Sequence, residues 1–143
     1  KGYYQDEVFG NTGPLPPESG KVTTYTVIWQ VKNYYNDVNN VQVKAVLGQN
    51  VNLTGRIFPE DAALTFDSNS REVVWKLEKL APGEGVLGAS PNVAFQIAFS
   101  PNSFQGGQIS ELIGKASTTG EDQFTGQIIK AEAPAIDTTL SDD

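Results

Sequence analysis

The sequence predicts an all-β protein, an antiparallel β-sandwich of Greek-key type with roughly seven to nine strands. Three observations lead there. Apolar residues recur with period two in several segments, as they do in strands that bury one face. Clusters of turn-forming residues separate those segments about every ten residues. No segment suits the crossover helix that a parallel α/β fold needs, because the longest early stretch without Gly, Pro, Asn or Asp, residues 21–32, is dense in Thr, Val, Ile and aromatics.

Taken in order, residues 1–20 read as a lead-in or edge segment. Tyr3, Tyr4, Val8 and Phe9 are too apolar for an idle tail, and the Pro- and Gly-rich stretch from Gly10 to Gly20 cannot donate to a central ladder. Lys1 to Phe9 are expected to dock along an edge or end of their own sandwich and blunt it. Residues 21–131 form the sandwich. Tyr25, Val27, Trp29 and Val31 alternate with Thr24, Thr26, Ile28 and Gln30, and Val41, Val43, Ala45 and Leu47 alternate with Gln42, Lys44 and Val46. Val73, Trp75 and Leu77 form a third inward set; Val93, Phe95, Ile97 and Phe99 form a fourth. Weaker strand signals lie at residues 51–58, 64–66, 112–118 and 124–131. Trp29 and Trp75 are placed at the centre of the core. Residues 132–143, small, polar and acidic, read as a tail or linker.

Composition excludes several functions. The 143 residues hold 17 acids against 10 bases, a net charge of −7, and the bases are scattered singly, so no footprint for a phosphate backbone exists. The chain has no Cys and no His, which removes thiol nucleophiles, imidazole chemistry, disulfides and structural zinc. No run of eighteen apolar residues could span a bilayer, so direct membrane insertion is not expected. A chain that starts at Lys1 and contains no Met is expected to be an excised or processed piece.

Few residues could carry chemistry. Adjacent acids at Glu60–Asp61 and Glu121–Asp122 could share a Ca²⁺ ion with carbonyls of a neighbouring loop, but charged turns are common and no cofactor is the leading expectation. Asp67–Ser68–Asn69–Ser70 starts like an EF-hand loop, but Glu72 stands where that loop needs Gly, and a hairpin turn fits better. Paired acids on turns lack the apolar setting that would raise a carboxyl pKa, so no enzyme is expected. Gly83–Glu84–Gly85–Val86–Leu87–Gly88 matches a nucleotide-binding spacing without the following helix, which leaves a contact loop. Tyr34–Tyr35, beside Asn33, Asn36 and Asp37, form the candidate platform for stacking a sugar, with Tyr3–Tyr4 a second such pair. Against that stands burial of one Tyr of each pair with its hydroxyl bonded to backbone. Lys32 and Lys44 lie in core strands at outward parity, which argues against a Lys–Asn crosslink.

Gly13–Pro14–Leu15–Pro16–Pro17, the strand Thr23 to Trp29 leading to Asn33, Val41 to Leu47, Val74–Trp75, Leu80–Ala81–Pro82–Gly83–Glu84 and Phe95–Gln96–Ile97 together resemble a known pattern. It is that of the conserved-repeat Ig-like modules of bacterial cell-surface proteins, the domain of unknown function eleven family, over roughly residues 13–131. The resemblance implies an Ig-like sandwich on a secreted or wall-attached protein, hence an extracellular location. It implies a non-enzymatic spacer, scaffold or contact domain whose partners are neighbouring domains or other surface proteins. Residues 1–11 and the long loop Gly83 to Asn92 depart from the pattern. Two other readings stay open: a polysaccharide-binding module using Tyr34 and Tyr35, and a filament subunit that assembles by strand addition.

Overall fold

A computed structural model describes residues 2–5, 9–31, 38–80, 92–105 and 108–140, the side chains of 78–80 excepted. Its strands are β1 (Gly2–Tyr3), β2 (Thr23–Gln30), β3 (Val38–Val46), β4 (Val51–Phe58), β5 (Leu64–Asp67), β6 (Glu72–Leu80), β7 (Asn92–Phe99), β8 (Glu111–Ile113), β9 (Ala116–Asp122), β10 (Ile128–Ala133) and β11 (Ile136–Asp137). One sheet has the order β1-β2-β7-β4, the other β10-β9-β3-β6-β5, and β11-β8 form a two-stranded ribbon. Every pairing is antiparallel. The chain changes sheet at β2–β3, β3–β4, β4–β5 and β6–β7, and again from β7 to β9 by way of β8, the crossing connections of a Greek key.

The four period-two sets point inward as the sequence predicts. Val27, Val93, Phe95, Ile97 and Phe99 are wholly buried from the four-stranded sheet, and Val41, Val43, Val73 and Trp75 meet them from the five-stranded one. Trp29 stands edge-on to Phe95, ring centroids 5.0 Å apart at 75°. Burial of each such side chain contributes about 1.5–3 kcal/mol, and this layer holds the two sheets together.

Two polar residues break the alternation. Thr26 and Gln96 have outward parity, yet they are 1% and 4% exposed. They are covered by the N-terminal segment. Gly2 and Tyr3 pair with Val27 and Thr26, and farther along, Thr24 N–H donates to Thr12 O (2.8 Å). Asn11 Nδ2 donates to Tyr4 O (2.8 Å) and Thr26 Oγ1 (2.9 Å), and Asn11 Oδ1 accepts from Gln96 Nε2 (3.0 Å). Gln96 Oε1 in turn accepts from the Thr54 hydroxyl (2.9 Å). The buried amides are therefore partnered, as burial requires. Thr23 Oγ1 donates to Pro14 O (2.7 Å). At Gly13, with φ +104°, an added Cβ would collide with the Val22 carbonyl, so the close approach of strap to strand needs glycine there.

The weaker strand signals fare unevenly. Residues 51–58 and 64–67 are strands, while the segment 112–118 splits between β8 and β9, and 124–131 opens with a turn before β10. The C-terminal stretch differs from a free tail: Ile136 pairs with Ile113, Thr138 N–H donates to Ser110 O (3.0 Å), and Ile136 and Leu140 pack on the core. Two apolar side chains four residues apart in a polar stretch carry no period-two signal, yet they suffice to close one end of the sandwich.

Candidate functional site

The structure describes some of the candidate residues and not others. Tyr34 and Tyr35 lie outside the described residues, as do Lys32 and most of the loop 83–92. Of the other aromatic pair, Tyr4 donates its hydroxyl to Gly13 O (2.9 Å) and sets its ring edge-on to Tyr25, centroids 6.2 Å apart. Tyr4 is thus a packing residue. Tyr3 borders a groove of about 250 Å³ between the β1-β2 side of one sheet and the β10-β9-β3 side of the other, lined also by Ile28, Trp29, Val43, Thr118 and Ala133.

The acidic pairs sit on turns. Glu60 and Asp61 lie exposed in the β4–β5 connection, where Ala62 N–H donates to Pro59 O (3.1 Å). Glu121 and Asp122 are consecutive in a strand, so their side chains leave opposite faces of the sheet. Glu121 Oε2 accepts from Asn40 Nδ2 (3.3 Å), whereas Asp122 Oδ1 accepts from Phe124 N–H (2.8 Å) and Thr125 N–H (3.2 Å). Asp122 is thereby engaged in shaping its own hairpin. The Asp67 carboxylate does the same for the β5–β6 turn, accepting from Asn69 N–H at 2.8 Å. Among the described residues no three acidic groups cluster as a metal would need. Lys44 is half-buried at outward parity and Lys76 is exposed.

Among the described residues Tyr25 is strongly perturbed. Burial pushes the Tyr25 phenol up to about 12, with the nearby Tyr4 adding to the shift. Its hydroxyl has no hydrogen-bond partner among the described residues. A neutral phenol in the core is packing, not acid–base machinery.

Sequence reasoning passed over the surface features of the β9–β10 hairpin. Phe124 at its tip is 87% exposed, and all six residues of β10 are exposed. Phe124, Ile128 and Ile129 were legible as strand-formers, but consecutive Ile residues do not say which face, if either, is covered.

The fold defines an Ig-like β-sandwich with no catalytic constellation among the described residues. No family model and no curated protein sequence matches the chain. Among solved structures it is similar to the full-length major pilin SpaD from Corynebacterium diphtheriae, at TM-score 0.52 and 11% identity, covering 84% of this chain and 32% of that one. It is also similar to BcpA, the major pilin subunit of Bacillus cereus, at TM-score 0.54 and 9% identity over 84% of this chain and 35% of the pilin. The RrgA Jo.In complex matches at TM-score 0.52 and 10% identity, with 85% and 72% covered. The chain thus spans about a third of the length of the pilin chains it matches. At these identities the likeness is one of fold. Among the described residues no helix is long and apolar enough to cross a membrane.

Proposed function

We propose that this chain is a non-enzymatic structural and adhesive module of a larger bacterial surface protein, supplying length, stiffness and contact surface outside the cell. The observation that carries this reading is the sandwich itself: its core is well packed, its candidate acids Glu60, Asp61, Asp67, Glu121 and Asp122 are exposed or spent on turns, and its fold neighbours are chains of major pilins. The sequence resemblance to the conserved-repeat Ig-like modules supports the same setting. The mechanism is mechanical. Antiparallel ladders loaded along the strands share force across many backbone hydrogen bonds, and the buried aromatic layer keeps the sheets in register.

The test is to offer the purified chain a panel of glycosides and esters, titrate it with cell-wall polysaccharides, and pull it as a tethered unit. No turnover, no saturable glycan binding and one cooperative unfolding event are expected. Turnover lost on substitution of a single acid overturns the reading, and saturable binding lost in Tyr34→Ala or Tyr35→Ala replaces it with the polysaccharide-binding one.

A further inference from the structure

β10 forms the outer strand of the five-stranded sheet, paired with β9 through all six residues, and no described strand lies beyond it. Ile128 is 63% and Ile129 43% exposed. An edge this long, apolar and free of proline or bulge is an open template for another strand.

The phase of its free backbone groups is set by the hairpin. Asp122 N–H donates to Gln127 O (2.9 Å), and this pair continues the register in which Ile128 opposes Glu121. Alternation along an antiparallel ladder then turns the N–H and C=O of Ile129, Ala131 and Ala133 toward β9, and those of Ile128, Lys130 and Glu132 outward. A twofold pairing of β10 with another β10 must set outward residues opposite outward residues. Registers centred on Lys130 or on Glu132 place like charges face to face. The register centred on Ala131 sets each Lys130 against the partner's Glu132, Ile129 against the partner's Ala133, and Ile128 against the partner's Pro134. The strand is thus complementary to itself in charge and in backbone phase at one register. Among the described residues Glu132 has one ionic neighbour, Lys115 at 4.0 Å, with both side chains about two-thirds exposed or more, so its carboxylate stays open to a second cation.

We propose that β10 is a homotypic docking strand: two copies of this chain pair their β10 edges antiparallel about a twofold axis at Ala131, joining their five-stranded sheets into one continuous sheet.

Sedimentation velocity of the full chain over a range of concentrations should show reversible dimerisation. Lys130→Glu and Glu132→Lys each create two like-charge pairs and should weaken the dimer about tenfold, and the double variant should restore it, since each cross-strand pair acts twice. All of these side chains are exposed, so circular dichroism should show an unchanged fold. The chain has no cysteine of its own, so Ala131→Cys offers a direct readout. Mild oxidation should link it to itself across the axis, where opposed Cα atoms lie about 4.5 Å apart, and Lys130→Cys should link far less. A chain that stays monomeric up to about 1 mM overturns the proposal. So does a dimer indifferent to both charge reversals, or one in which Cys at 131 fails to crosslink.

Discussion

Two outer strands, β1 of one sheet and β10 of the other, are finished very differently. On the four-stranded sheet the outer strand β1 is two residues long, with Gly2 opposite Val27, and Thr12 is bonded farther along β2 at Thr24. On the five-stranded sheet β10 presents six exposed residues with no described strand beyond. The first edge is tied down by an internal polar network at Asn11, Thr26, Gln96 and Thr54, with Arg56 Nη1 donating to Phe9 O at 2.7 Å. The second is held mainly by its ladder to β9. One protein can therefore guard one sheet edge and leave another available. The covered edge contributes stability, and the bare edge is where association is cheap.

The largest effect is expected beneath both edges. Trp75 is 2% exposed and lies between Val43 of β3 and Leu64 of β5 in register. Trp75→Ala should cost about 3–5 kcal/mol, read as a drop of many degrees in Tm. A change of only a few degrees would mean that the core does not sit under Trp75. Next comes the guarded edge. Asn11→Ala removes one hydrogen-bond partner of Thr26 Oγ1 and an acceptor of Gln96 Nε2, and a buried donor that loses its acceptor costs about 1–3 kcal/mol, so a loss near 2 kcal/mol in denaturant unfolding is expected. Equal stability in the variant would show that the strap is not anchored there.

Tyr25 supplies a third contrast on the same sheet. Its hydroxyl is buried without a described partner, so Tyr25→Phe should leave stability unchanged or raise it by up to about 1 kcal/mol. The folded-state pKa is raised from 10.0 to about 12. The unfolded chain therefore releases this proton first as pH rises. Stability tied to the neutral phenol is fully present below pH 10 and lost between 10 and about 12, on the order of 2 kcal/mol. Thermal melts across that range should show the decline in the parent and a smaller one in Tyr25→Phe. The smallest effect belongs to the bare edge. Ile128→Lys, at a side chain 63% exposed, should shift monomer stability by less than about 0.5 kcal/mol, measured by denaturant unfolding at low concentration. A loss above 1 kcal/mol would show that β10 is covered after all.

Strand positions and inward faces were legible because burial on one side of a pleated sheet imposes period two on the residues themselves, as along Val93, Phe95, Ile97 and Phe99. Turns were legible for the same local reason: Asp67 and Asp122 cap the turns that follow them. The candidate metal pairs illustrate the converse. Adjacency of Glu121 and Asp122 in sequence suggested a shared ion, but a strand sends neighbours to opposite faces, and a one-dimensional list does not show that the pair lies in a strand to its last residue.

By itself the sequence determined the class, all-β, the inner face of each main strand, and the absence of cysteine and histidine chemistry. Those properties reside in single residues and in spacings of two. Tertiary structure alone decided which outward-facing polar residues would be buried, as Thr26 and Gln96 are, that Ile136 and Leu140 would close one end, and that β10 would lie at a sheet edge. These outcomes depend on contacts between segments far apart in the chain, Asn11 with Gln96 and Ile136 with Ile113, whose free energy appears only when the sheets have assembled.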